Sequence, residues 1–506
     1  MAEPSVHGAT RRSSSGDRPN RADPDRPPPP PPSRRSGSPS DLISALPDAV
    51  IHRIFSYLPL EDVVKTSVLS KRWRSTWTST TELVFDGEIE DRPRSTFDFW
   101  SIVDAVLSQC TSPTVKRFHV TGLNCEWTDQ PKVELWLGFA ARHRVEDLRL
   151  WLANGSSSFY VQLGIVYCLS WLVRLDVCRC TFSLGGTISW PCLKFLSIEY
   201  AGLSDDLLRR IFRGSPVLES LELRDCWGVK NIIIDSTSVK ELVYVHPGYS
   251  RAKRMKIWAP HLLLLRVSGM WHYYDFFGLD DISSLVEAEI DFQILYGGKW
   301  MCCDLLKETF EKLHQVPTIT IGGWCLEILS LLEMEGVPAV LSKCQNLTLH
   351  GPVSQWDLPG IAYMLRSSRC LEKLVIHLTD LTPLELELDE ESQERFNFDE
   401  EDFLCSRRGN FECLANHLKR VEIIGLKADS FGSKHLLALI KFLLGDAVVL
   451  EKLIIKAKLP TRHGRKRFKA AVLSKLFGVS KNVLSCRRAS KNAEVIFDCP
   501  SEWVSS

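Results

Sequence analysis

The chain has 506 residues, 44% hydrophobic and 25% charged, and its formal net charge is zero. Balanced charge gives no global field for nucleic acid or an anionic membrane, and no run of about eighteen apolar residues offers a membrane span. The length fits roughly two to four domains, or one long repeat domain with appendages.

The sixteen cysteines are too scattered for a disulfide framework. Several, including Cys168, Cys192, Cys325 and Cys413, sit in apolar runs, as buried free thiols do in the reducing nucleus or cytoplasm. The close pairs Cys178/Cys180 and Cys302/Cys303 lack the two-residue gap of zinc knuckles, so no structural metal is expected.

Residues 1–40 are rich in Ser, Arg, Asp and Pro, with Pro27 to Pro32 consecutive. Such a stretch buries too little apolar surface to order itself, and the proline run suits an extended spacer. It has no apolar h-region, so no secretory signal is expected.

From Leu46 to Trp77 the residues spell three short helices. Pro47 suits a first helical turn, where its missing N–H is unpaired anyway. Val50, Ile51, Ile54, Phe55 and Leu58 follow at helical spacing as one apolar stripe. Pro59 stops that helix. Glu61 and Asp62 open the next, where negative charge meets the N-terminal dipole. Ser70 is a suitable N-cap for a third turn, on which Trp73 and Trp77 share a face expected to be exposed. About thirty residues cannot close a core of their own, so the segment must lean on something larger.

This segment resembles the F-box, the module that docks substrate receptors on the Skp1-type adaptor of cullin–RING ubiquitin ligases. The matching residues are Leu46-Pro47, the block Ile54-Phe55-Ser56-Tyr57-Leu58-Pro59, and Ser67 to Arg74. Thr76 departs from the family, which more often has a bulky aliphatic there. The resemblance implies that Leu46, Pro47, Ile51, Ile54, Phe55, Leu58, Pro59, Val68, Leu69, Trp73 and Trp77 form the module and its adaptor surface. Some of these must pack within the module, and the sequence alone does not divide them.

Beyond residue 80 a motif recurs: aliphatic, two variable residues, aliphatic, one variable, aliphatic. It reads VEDLRL from Val145, LVRLDV from Leu172, LKFLSI from Leu193 and LESLEL from Leu218. Further copies begin at Val239, Leu262, Leu285, Cys344, Leu371, Leu418 and Leu450. Copies from Val145 to Leu285 return at the spacing of leucine-rich repeats. The alternating part predicts a short strand with one face inward and one lining a concave surface. LSDDLLRRIFRGSP predicts a return helix capped by Ser204, with Leu207, Leu208, Ile211 and Phe212 inward and Gly214 and Pro216 ending it. One repeat cannot hide its core alone, so neighbours must stack. The rhythm fails from about 290 to 340, which is read as an irregular repeat or insertion.

Residues 381–410 are acidic and read as a loop. From about 411 to 500 the chain is similar to the FBD domain of plant F-box proteins, through CLANHLKRVEIIGL (Cys413 to Leu426), IKFLLGDAVVLEKLII (Ile440 to Ile455) and RASKNAEVIF (Arg488 to Phe497). The expected fold class is α/β: a disordered tail over 1–40, a three-helix F-box over 41–80, a leucine-rich-repeat solenoid over 81–380, the acidic loop, and an α/β FBD domain over 411–500.

No phosphate loop, HExxH or nucleophile elbow is present, and His143 reads as a surface residue. No cofactor motif is legible. The resemblance therefore implies a non-enzymatic substrate receptor that holds a Skp1-type adaptor, through it a cullin, and on its repeats a protein target of unknown identity. Two alternatives stay open. One is a scaffold that holds the adaptor without promoting ubiquitylation. The other is a nuclear nucleic-acid-associated factor using the basic run Arg462 to Arg467, although no interleaved aromatics accompany that run.

Overall fold

The computed structural model describes residues 46–87, 96–153, 160–182, 186–248, 254–272, 276–295, 299–379, 397–407, 409–426, 434–457 and 477–498. The N-terminal tail, the proline run, most of the acidic segment and the basic run lie outside these residues.

One parallel sheet of fifteen strands runs from Glu82–Asp86 to Glu494–Asp498, and its main strands follow chain order. Alternation builds it. In Asp147–Ala153 the side chains of Leu148, Leu150 and Leu152 are buried, while Trp151 on the other face is exposed. Leu221 and Leu223 repeat the pattern in Ser220–Arg224, as do Val421 and Ile423 in Arg420–Leu426. Each fully buried aliphatic contributes about 1.5–3 kcal/mol, and stacking shares that core between repeats.

A second regularity sets the register. The carbonyl just before one strand accepts the first N–H groups of the next rung. Val173 O takes Lys194 N at 2.9 Å and Phe195 N at 3.2 Å, and Glu372 O takes Lys419 N at 2.9 Å and Arg420 N at 3.1 Å. Backbone polar groups at the sheet's edge are thereby paired without help from side chains.

The return helix Asp205–Gly214 forms as expected. Ser204 Oγ accepts from Leu207 N at 3.2 Å, and Leu207, Leu208 and Ile211 are buried, with Phe212 half-buried. Gly214 is required by contact: a Cβ there would stand 2.5 Å from Ile188 O.

The interval 290–340, expected to hold an irregular repeat or insertion, carries a rung of the ladder. Thr318–Ile321 pairs with the strand Glu287–Leu295 on one side and Asn346–Gly351 on the other. Two earlier strands, Glu82–Asp86 and Arg117–Asn124, also lack the leucine pattern, because Phe85 and Phe118 occupy inward positions. The C-terminal α/β unit continues the same sheet: its strands Arg420–Leu426, Lys452–Ala457 and Glu494–Asp498 are the last three rungs.

Cys168 and Cys192 are exposed, the first at the end of the 3-10 helix Ile165–Cys168 and the second in a turn, whereas Cys325 and Cys413 are buried. His143 is half-buried; its ring stacks on Phe139 at 4.0 Å, and Nδ1 stands 2.7 Å from Ser112 O.

Candidate adaptor-docking surface

The first helix runs Asp48–Phe55 and the second Leu60–Lys65, with Pro47 and Pro59 as their caps. A short 3-10 turn, Thr66–Val68, leads to the third helix, Trp73–Thr76. Arg72, not Ser70, is the N-cap of that helix; Ser70 Oγ accepts from Trp73 N at 3.3 Å from the turn before it.

The apolar stripe of the first helix divides into two faces. Ile51 and Phe55 point inward and are 0% and 3% exposed. Phe55 meets the Trp73 ring edge-on at 5.6 Å between centroids. Trp73 and Trp77 are 3% and 7% exposed, which corrects the expectation of an exposed tryptophan face. The physical reason is size: an indole is the largest surface available to close a module this small. These four residues, with Leu60 and Val63, belong to the common core that continues into Leu83 and the sheet.

The remaining candidates face out. Val50, Ile54 and Leu58 are exposed along one side of the first helix and the turn after it, and Pro47 and Pro59 are exposed at its two ends. Leu46 is half-buried against the core. Val68 and Leu69, at the tip of the 3-10 turn, are 84% and 56% exposed. An Arg72–Asp48 ion pair ties the turn following them to the start of the first helix. Tyr57, 71% exposed, stands under the Arg53 guanidinium at 5.4 Å.

Val50 and Tyr57 are outward apolar residues that the sequence reading did not assign to the surface. A five-residue stripe wider than one helix face was the available signal. Clustered exposed aliphatics on so short a segment are what a protein-docking surface needs and what an isolated soluble surface avoids.

The module is fastened to the sheet by its end. Thr111 N donates to Thr78 O at 2.8 Å, and Thr81 O accepts Lys116 N at 2.8 Å, the first rung of the ladder. His52 Nε2 lies 3.0 Å from Ser79 Oγ. The outward patch is therefore held by a rigid base.

Comparison with known proteins agrees with this architecture. The F-box domain model matches residues 43–84, the LRR repeats of FBD-associated F-box protein At5g56370 match 133–269, and FBD matches 407–455. F-box/LRR-repeat protein At3g18150 of Arabidopsis thaliana is 30% identical over 429 residues, covering 82% of this chain and 86% of its own length. F-box/LRR-repeat protein At5g02910 of the same plant is 34% identical, covering 67% of this chain and 72% of its own. The chain belongs to the F-box/LRR-repeat proteins.

F-box/LRR-repeat chains are adaptor-type proteins, and an F-box implies a Skp1-type partner in general terms. In this F-box/LRR-repeat protein the described residues contain no group of three or more His, Cys, Asp or Glu side chains able to hold a metal ion. No helix among them is long and apolar enough to cross a membrane.

Proposed function

We propose that the protein is the substrate-recognition subunit of an SCF-type cullin–RING ubiquitin ligase. Its F-box docks on a Skp1-type adaptor, and its sheet presents a protein target. The observation that carries this reading is the division within the F-box. Ile51, Phe55, Trp73 and Trp77 are used up internally, while Val50, Ile54, Tyr57, Leu58, Val68 and Leu69 are left outward with no counterpart in the chain's own core. Removing those aliphatics from water on a partner would supply about 25 cal/mol per Å².

The chain's contribution to the reaction is positional. Holding the target and the ligase on one rigid body raises the effective concentration of target lysines near a charged conjugating enzyme. No group of this chain needs to touch the reacting atoms.

Ile54→Asp tests the reading. Ile54 is on the outward face, so the substitution leaves the module's interior intact and sets an unpaired charge in an apolar contact. Adaptor capture should be lost while the chain stays folded; capture at the wild-type level would refute the docking surface. Reconstitution with cullin then separates a ligase subunit from a scaffold: ubiquitylated client appears only in the first case.

A further inference from the structure

The two ends of the parallel sheet are finished differently. At its start, Leu83 and Phe85 hold the inward positions of Glu82–Asp86 and are 1% and 5% exposed, in one core with Leu60 and Val63 of the F-box. At its end, Val495 and Phe497 hold the inward positions of Glu494–Asp498, in register with Leu453 and Ile455. Leu453 and Ile455 are 0% and 1% exposed, whereas Val495 and Phe497 are only half-buried. The apolar core therefore stays open on its last side. No strand among the described residues pairs with the outer edge of Glu494–Asp498.

The backbone is open at the same place. Glu494 N donates to Glu451 O at 2.8 Å, so the N–H and C=O groups of Glu494 and Ile496 serve the ladder with Lys452–Ala457. Strand alternation turns those of Val495 and Phe497 to the open side. Such an edge is a template for another extended chain, which would pair these groups and finish burying the two side chains.

The outward face says which chain fits. Glu494 and Asp498 are exposed there with half-buried Ile496 between them, and neither acid has an ion pair among the described residues. A strand added outside would have these acids as its neighbours at about 5 Å, and Lys452 and Lys456 one strand further, at about 10 Å. Opposite charges across a rung stabilise a sheet and like charges oppose it. The added strand should carry cations opposite Glu494 and Asp498 and apolar residues opposite Val495, Ile496 and Phe497. The same rule disfavours a second copy, because antiparallel pairing about Ile496 would set each Glu494 against an Asp498. Residues 499–506 of the chain itself carry one charged side chain, Glu502, of the wrong sign.

We propose that the outer edge of Glu494–Asp498 takes up an extended segment of the target protein as a further strand, selecting the pattern cation, three apolar residues, cation. That the segment belongs to a ubiquitylation target rests on the receptor reading; the strand addition does not.

The test uses the full chain, with and without its adaptor. Fluorescence anisotropy is read with a short labelled peptide whose core is Lys-Val-Ile-Val-Arg, and with the same peptide carrying Glu at both cationic positions. The first should bind, and the second should bind about tenfold or more weakly. The double variant Glu494→Lys, Asp498→Lys should reverse that preference, and Lys194→Glu, distant on the sheet, should change nothing. Hydrogen exchange over residues 494–498 should slow when the first peptide binds, since new backbone hydrogen bonds form there. Urea unfolding midpoints report that the variants are folded.

No binding, equal binding of the two peptides, or binding without slower exchange would each overturn the proposal. So would a dimer that the peptide dissociates, which gives the edge to a second copy, or binding seen only after deletion of residues 499–506, which gives it to the chain's own tail. Peptide binding by a chain that captures no adaptor would strike the ligase reading and leave the strand addition standing.

Discussion

Arg407 Nε lies 3.1 Å from Glu333 Oε1 across 74 positions of chain. Arg366 Nη2 approaches the other oxygen, Glu333 Oε2, at 2.6 Å, and the Arg407 guanidinium covers the Phe403 ring at 3.7 Å. One carboxylate, 3% exposed, therefore joins the helices Gly323–Met334, Leu358–Ser367 and Glu400–Ser406. Glu333→Ala would leave two guanidinium groups partly buried without their counter-charge. Breaking one side of such a buried set costs about 3–5 kcal/mol. The urea unfolding midpoint of the variant should fall accordingly; an unchanged midpoint would show that the junction is held by its apolar contacts alone.

The inner and outer faces of the F-box should respond oppositely to substitution. Trp73→Ala removes the indole that Phe55 packs against and should cost about 3–5 kcal/mol, with adaptor capture lost because the module no longer forms. Val68→Asp changes an exposed residue and should alter stability by no more than about 0.5 kcal/mol while still abolishing capture. Thermal unfolding and adaptor pull-down, read on the same two variants, check both halves.

The first two helix starts of the F-box were legible because Pro47 and Pro59 punctuate the chain by local rules that tertiary structure rarely overrides. The division between its faces was not. Ile51 and Ile54 are the same residue type three positions apart, and only packing against Trp73 and the sheet decides which one is buried.

The ladder was legible wherever leucine filled the inward positions. It was missed at Thr318–Ile321, where Val316, Ile319 and Ile321 keep the spacing but no leucine marks it. The ion pairs of Glu422 with Lys373, Arg420 and Lys456 had no signal in the sequence, since these cations are dozens of residues apart and meet only through strand register.

The thiols should divide by burial under native alkylation. Cys168, Cys192, Cys370 and Cys405 are exposed and should label readily. Cys226, Cys344 and Cys413 should resist, because burial pushes each thiol up to about 12 and almost none is thiolate at neutral pH. Their sulfurs are also occupied: Cys226 Sγ–H donates to Ile198 O at 3.2 Å, and Cys413 Sγ–H to Leu365 O at 3.2 Å. Peptide mapping after a short alkylation pulse reads the pattern, and early labelling of Cys226 would contradict the packing of that repeat.

Stability should fall as pH rises, through the pair Glu327 and Asp357. Both are buried between the helices Gly323–Met334 and Leu358–Ser367, and neither has an ion-pair partner among the described residues. Burial, reinforced by the charge of Asp357, pushes Glu327 up to about 8. Burial also raises Asp357, although Ser354 donates to its Oδ2 through both backbone N–H and hydroxyl. A carboxyl whose folded pKa lies above its unfolded value of 4.5 favours the fold fully only below that lower value. Its contribution is then lost progressively as pH rises from there through about 8. Glu327→Gln keeps the shape and cannot ionise, so it should flatten this slope and be the more stable of the two chains at pH above 8. Urea midpoints measured across that range for both chains decide it: parallel curves would mean that Glu327 reaches water and titrates as an ordinary surface acid.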